Sequence, residues 1–164
     1  MTPETSIALL NGAVQDELAA VHQYMYFHFH LDDQGYKQLA ALFKRTAIKE
    51  MAHVEALADR ILFLKGDVTM AVAEPVEPIT QPAGMLEKAV QMEVSSASGY
   101  NRAALDCSAN QDAGSKQLFE RLIADEESHY AEFEQQLDNI REFGAHYLAL
   151  QSMGTPGPAS EPAD

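Results

Sequence analysis

One cysteine, Cys107, stands among 164 residues, which excludes an internal disulfide and any CxxC or cysteine-rich metal knuckle. Metal chemistry in this chain must therefore use histidine and carboxylate ligands. Positive charge is also scarce: 11 Lys and Arg face 25 Asp and Glu, for a formal net charge of −14. Such a balance repels nucleic acid and anionic membrane surfaces and favours cationic partners, metal ions or basic proteins. No segment approaches the roughly 20 apolar residues of a membrane span. The opening stretch MTPETSIALLNG has neither a positive n-region nor a long apolar run. These absences predict a cytoplasmic protein that binds neither membrane nor nucleic acid. Strand signals are missing too, so an all-α chain is expected, and 46% hydrophobic content over this length suits one domain with a proper core.

What is present is a set of long helical periods. After Pro3-Glu4-Thr5-Ser6, the residues Ile7, Leu10, Val14, Val21 and Leu31 mark a first helix that stops at DDQG, residues 32–35. Leu39, Phe43, Leu57, Ile61 and Leu64 mark a second, with Gly66 as its expected helix-ending glycine. Residues 66–82 hold Pro75, Pro78 and Pro82 without a sustained period and read as an extended connection able to span a bundle. Leu86, Val90, Ala97, Ala104 and Cys107 mark a third helix up to SANQDAG, and Phe119, Leu122, Phe133, Leu137 and Ile140 a fourth to about Gly144. The pattern predicts a four-helix bundle with one long crossover and a short fifth helix, AHYLALQSM, at its C-terminal end. Residues 1–153 form the expected domain, and the Gly, Pro and polar content of 154–164 suggests a disordered tail.

The informative stripe positions are the polar ones. The first helix carries Glu17 and Tyr24, the second Glu50 and His53, the third Glu93 and Tyr100, the fourth Glu126 and His129. The second set repeats the first at a constant offset of 76 residues, so the chain reads as two copies of one hairpin. In an antiparallel hairpin, residues equidistant from the turn share a height. The midpoint of 17 and 50 falls inside DDQG, and that of 93 and 126 at the edge of SANQDAG. Both glutamate pairs therefore meet at mid-bundle, and each Glu-x-x-His pair shares one helix face. Four ionised glutamates in an apolar bundle would cost several kcal/mol per charge. Two divalent cations would neutralise them, with one imidazole for each metal, a mixed oxygen and nitrogen donor set that iron or manganese accepts. One Glu from each of two helices plus Glu-x-x-His from the other two is the known pattern of ferritin-like di-metal proteins. A single Glu-x-x-His more often lies on a solvated face; two of them at matched offset are far more specific.

At these residues the chain resembles the bacterioferritins, the haem-containing branch of the ferritins, over nearly all of residues 5–153. AVHQY, EMAHVEALADRILFLKG and LIADEESHYAEFEQQLDNI carry the likeness. The resemblance implies a ferritin-like fold and a ferroxidase that oxidises Fe(II) with O2 or H2O2. In its di-iron centre Glu50 and Glu126 bridge, Glu17 with His53 complete one site, and Glu93 with His129 complete the other. It further implies Tyr24 beside the centre and Met51 as the axial ligand of haem b held between two subunits. A homo-oligomeric cage of 24 subunits built from dimers, storing ferric mineral, and a ferredoxin-type reductant complete the expectation. One step along a helix from Glu50 turns Met51 about 100° off the core stripe, toward a neighbouring subunit, where a thioether serves as a soft ligand or as packing. Arg45 and Lys49 stand where many bacterioferritins carry a histidine and an aspartate as an accessory iron site, His22 replaces a common asparagine, and the fifth helix is one residue shorter at GAHYL. The rival readings are a non-haem ferritin, a rubrerythrin-like peroxide reductase, a small di-iron oxygenase, and a metal-stabilised bundle that catalyses nothing. The single cysteine argues against the reductase, which usually carries a Cys-rich domain. His22, His28 and His30 lack acidic partners at ligand spacing and read as solvated or interface histidines; His146 would line a pore if the fifth helix surrounds a symmetry axis.

Overall fold

The structure, a computed structural model, describes residues 3–153. The tail expected at 154–164 lies outside the described residues. Four long helices, α1 (Pro3–Asp33), α2 (Lys37–Phe63), α3 (Pro82–Ala109) and α4 (Ala113–Phe143), precede a short α5 (Ala145–Ser152). The 31 residues of α1 extend about 46 Å. α1 packs against α2 and α3 against α4, with α1 on α3 and α2 on α4 closing the bundle. None of the described helices is long and apolar enough to cross a membrane.

Prolines open two of these helices. Pro3 and Pro82 take the first helical position, where the missing N–H costs nothing and the fixed φ suits the helix. Asp112 caps α4 by accepting from the Ser115 amide at 3.1 Å, and the same oxygen, Oδ1, accepts from Arg60, whose Nε donates to Ser115 Oγ at 2.9 Å. Three helix ends share one closure, a Schellman turn with a residue in the left-handed region. Gly35 (φ 87°) ends α1, with Tyr36 N–H donating to Leu31 O at 2.9 Å. At the end of α2, Gly66 N–H donates to Ile61 O and Lys65 N–H to Leu62 O. The left-handed residue there is Lys65 (φ 67°), not the expected Gly66. Gly66 is needed for a different reason: a Cβ on it would lie 2.8 Å from the Ile7 side chain. Gln111 (φ 60°) closes α3 in the same way.

Residues 64–81 hold no helix or strand and run along α1 from one end of the bundle to the other. The route is set by groups of α1, and of Gln34 just after it, that satisfy the backbone of the connection. Asn11 donates to Asp67 O and accepts from Thr69 N–H, the Gln15 carbonyl accepts from Ala73 N–H, Gln23 pairs both ways with Glu77, and Gln34 donates to Thr80 O. α5 turns back after Gly144 (φ 53°) and rests on α4 and α2, where Tyr147 donates to Gln136 and Gln38 to Met153 O.

The core has two apolar ends. Phe27, Leu31, Leu39, Phe43, Leu86 and Phe133 fill one; Leu10, Val14, Leu57, Ile61, Phe119 and Leu122 fill the other. Along every long helix the polar stripe residues fall between these clusters. The expected stripe residues Ile7, Val21, Leu64, Val90, Ala97 and Ile140 are half-buried rather than fully buried, since each flanks the stripe. Cys107 is buried in the second cluster.

Relieving the strain of a side chain at positive φ is worth about 1 kcal/mol. Lys65→Gly is therefore expected to stabilise the metal-free protein by about that amount in denaturant titration. Gly66→Ala, one residue on, is expected to destabilise it, because Ile7 must move; equal effects at the two positions would contradict this account of the turn.

Candidate metal centre

Glu17, Glu50, His53, Glu93, Glu126 and His129 are all buried, each at most 7% exposed, and form one layer between the apolar clusters. Their ligand atoms fall into two groups, each with donor atoms within 4.8 Å of one another. Glu17, Glu50, His53 and Glu126 make the first, and Glu50, Glu93, Glu126 and His129 the second. Glu50 and Glu126 belong to both. His53 Nδ1 lies 2.8 Å from Glu50, 3.2 Å from Glu17 and 3.2 Å from Glu126, while His129 Nδ1 lies 2.9 Å from Glu50 and 3.6 Å from Glu93. The two imidazoles stack with centroids 5.9 Å apart.

Close approach has not satisfied these groups. Both oxygens of Glu50, Glu93 Oε2, Glu126 Oε1 and His129 Nδ1 are buried without a hydrogen-bond partner. Orphaned buried carboxylates and an imidazole converging on one space are costly for a protein alone. They are the donor set a pair of divalent cations requires, so the residues fit the implied metals.

The titration of the cluster shows the same tension. Burial drives Glu17 up to about 8, with the Glu50 charge adding to it and His53 opposing. Burial likewise raises Glu126, to about 11, beside Glu17, Glu50 and Glu93. Glu50 is also penalised by burial, but the facing His129 and His53 outweigh that and bring it to about 2. Burial disfavours charged imidazole, yet the surrounding carboxylates raise His129 to about 9 and push His53 well up.

Two tyrosines hold the outer glutamates from across the bundle. Tyr24 of α1 donates to Glu93 Oε1 of α3, and Tyr100 of α3 donates to Glu17 Oε1 of α1 at 2.7 Å. Burial, then the neighbouring carboxylates, raises both phenols, which keeps them protonated donors. Sequence reasoning singled out Tyr24 and treated Tyr100 only as its repeat; the 76-residue offset was the available signal for an equal role. Asp125, whose Oδ2 lies 3.1 Å from His53 Nε2, went unmarked, because its repeat position is Lys49 and no pattern exposes it.

Met51 lies outside this layer, on the outer face of α2, 51% exposed and on the same side as Ile48. His28 Nδ1–H donates to the Ala40 carbonyl at 2.8 Å, His30 packs on Tyr26 and His22 is exposed, so these three do not converge. Arg45 pairs with Glu132 at 3.1 Å on the surface, Lys49 is exposed, and so is His146.

The chain matches the Ferritin-like domain family over residues 7–143. It is 36% identical to a bacterioferritin of Desulfovibrio desulfuricans over 150 residues, 92% of this chain and 83% of that protein. Against a bacterioferritin of Brucella melitensis it is 35% identical over 138 residues, 84% of this chain and 86% of the relative. The X-ray structure of the D. desulfuricans bacterioferritin, described by its di-iron site in different catalytic states, superposes with a TM-score of 0.90 at 33% identity, covering 98% of this chain and 95% of that one.

Metal ligands must shed their protons, so cation binding and pH are linked. With Glu17, Glu126 and His129 raised as above, Zn(II) or Co(II) is expected to expel protons at pH 7 and to bind more tightly as pH rises. Calorimetric titration in two buffers of different ionisation enthalpy measures this directly, and pH-independent affinity would contradict it. Raised folded values also mean that stability is lost on the alkaline side. Glu17 loses its contribution from 4.5 through about 8, and His129 from 6.5 through about 9. Thermal melts of the metal-free protein should therefore fall across pH 6.5 to 9, and those of the metal-loaded protein should fall less.

Proposed function

The chain belongs to the bacterioferritin family, and from that premise we propose that it is a di-iron ferroxidase that stores iron, with residues 3–153 acting as one ferritin-like unit. The carrying observation is that two four-residue donor groups share Glu50 and Glu126 at the buried middle of the bundle. In this reading Glu17 and His53 would hold one metal and Glu93 and His129 the other, with Glu50 and Glu126, common to both donor groups, serving both. When bound, the iron pair would supply one electron from each metal to O2 or H2O2.

The chain supplies what the metals cannot. Helix positions three residues apart fix each Glu-x-x-His pair on one face. Tyr24 and Tyr100 hold Glu93 and Glu17 in place by donating to one oxygen and leaving the other available. The apolar clusters above and below exclude bulk water, which strengthens every charge interaction inside. Fe(II), the substrate, is attracted by the excess of 25 acidic over 11 basic residues.

The reading extends to assembly. A homo-oligomeric cage of 24 subunits built from dimers would store the ferric product, and haem b would sit between two subunits on Met51. Support for the haem is the outward thioether one residue after Glu50, free for a neighbouring chain to cover. A ferredoxin-type reductant would serve iron release, and the location would be the cytoplasm, where the lone Cys107 remains a thiol.

Aerobic addition of Fe(II) well beyond one dinuclear centre tests the function. Near-ultraviolet absorbance should keep climbing while iron stays soluble; saturation at the dinuclear stoichiometry would replace storage with a non-storage di-iron enzyme. Glu50→Ala and Glu126→Ala should each abolish the fast phase of oxidation, a loss of about a hundredfold or more, and normal rates in either would remove these residues from the site. Met51→Leu should erase a haem absorption band and leave Fe(II) oxidation intact.

A further inference from the structure

The two halves of the centre are related by the 76-residue repeat, and the contacts on one side have counterparts on the other. Tyr24 to Glu93 is matched by Tyr100 to Glu17. His53 Nδ1 near Glu17 (3.2 Å) and Glu126 (3.2 Å) is matched by His129 Nδ1 near Glu93 (3.6 Å) and Glu50 (2.9 Å). Two contacts are unmatched: His53 Nδ1 lies 2.8 Å from Glu50 on its own helix, with no counterpart between His129 and Glu126 among the described residues, and the second involves the outer nitrogen of the same ring. His53 turns Nε2 away from the other ligands and donates from it to Asp125 Oδ2 at 3.1 Å, Asp125 being the residue just before Glu126. The repeat position just before Glu50 is Lys49. An ammonium cannot accept from an imidazole N–H. Accordingly, His129 has its carboxylate contacts at Nδ1 only, among the described residues.

A carboxylate on the distal nitrogen fixes the tautomer that aims the Nδ1 lone pair at the metal, and it makes that nitrogen a better donor. Only His53 has this arrangement. We propose that Asp125 is a positioning residue that makes the half-sites unequal, so that the first divalent cation loads beside His53 and the second beside His129. The inference rests on the di-metal reading above and adds an order to it. Lys49 works in the same sense, placing a positive charge where the other half has a negative one. Asp125 is 52% exposed, so water weakens its hold, and the expected difference is at the lower end for such partners, about tenfold in affinity.

The experiment is an anaerobic Co(II) titration of the assembled protein, followed by its visible absorption. The unmodified protein should show two steps about tenfold apart in affinity. Asp125→Asn should weaken the first step about tenfold and leave the second unchanged, Asp125→Glu should restore part of the loss, and Lys49→Asp should tighten the second step. A general structural role for Asp125 would not predict the gain from Lys49→Asp. His129→Ala should retain the tighter site and His53→Ala the weaker. Two equal steps indifferent to Asp125 and Lys49, or a loss shared by both steps, would overturn the inference and leave the di-metal reading standing. Absence of Co(II) binding in the unmodified protein would overturn both.

Discussion

Everything in this bundle is arranged around the expense of holding four glutamates and two histidines out of water. As they stand the six are not all satisfied, and orphaned oxygens and an orphaned imidazole nitrogen remain. The protein tolerates this by dividing its core. Two apolar clusters, one built on Phe27, Phe43 and Phe133 and the other on Phe119 with leucines and Ile61, take the helices' remaining stripe positions and carry the stability that the middle layer does not. Dispersion and burial at the two ends hold the charged layer at a fixed spacing.

The tyrosines show how the layer is kept orderly. Each spans from its own helix to a glutamate on the other hairpin, so the same two hydrogen bonds that hold one oxygen of Glu17 and of Glu93 also tie the hairpins together. A satisfied buried network specifies one arrangement. The imidazoles approach from α2 and α4, and Glu50 and Glu126, which neither tyrosine reaches, are the two groups that both donor sets share.

Much of this was legible in the sequence because the period of a long helix is a strong signal and a polar residue within it stands out. Glu17, Glu50, His53, Glu93, Glu126 and His129 were all visible as interruptions of apolar stripes, and the 76-residue offset grouped them. Local backbone detail was not legible. The left-handed residue at the end of α2 is Lys65, because chain reversal falls one residue earlier than the glycine, and Gly66 answers to the bulk of Ile7 instead. Asp125 escaped notice for a related reason: it reaches His53 from a half-exposed position off the stripe, where periodicity carries no information. Its partner in the repeat had changed chemistry, so even the internal duplication concealed it.

The ladder between α1 and the extended crossover has a kinetic meaning. Each hairpin is local in sequence, closing across a turn of a few residues, and such elements form fast. The donor set requires the two hairpins to dock in one register, and by contact order the long-range pairing of residues 67–80 with Asn11, Gln15, Gln23 and Gln34 is expected to follow the local hairpins. A newly made chain therefore possesses its helices before it possesses a centre. Redox-active metal meets a complete ligand cage only after the crossover has settled.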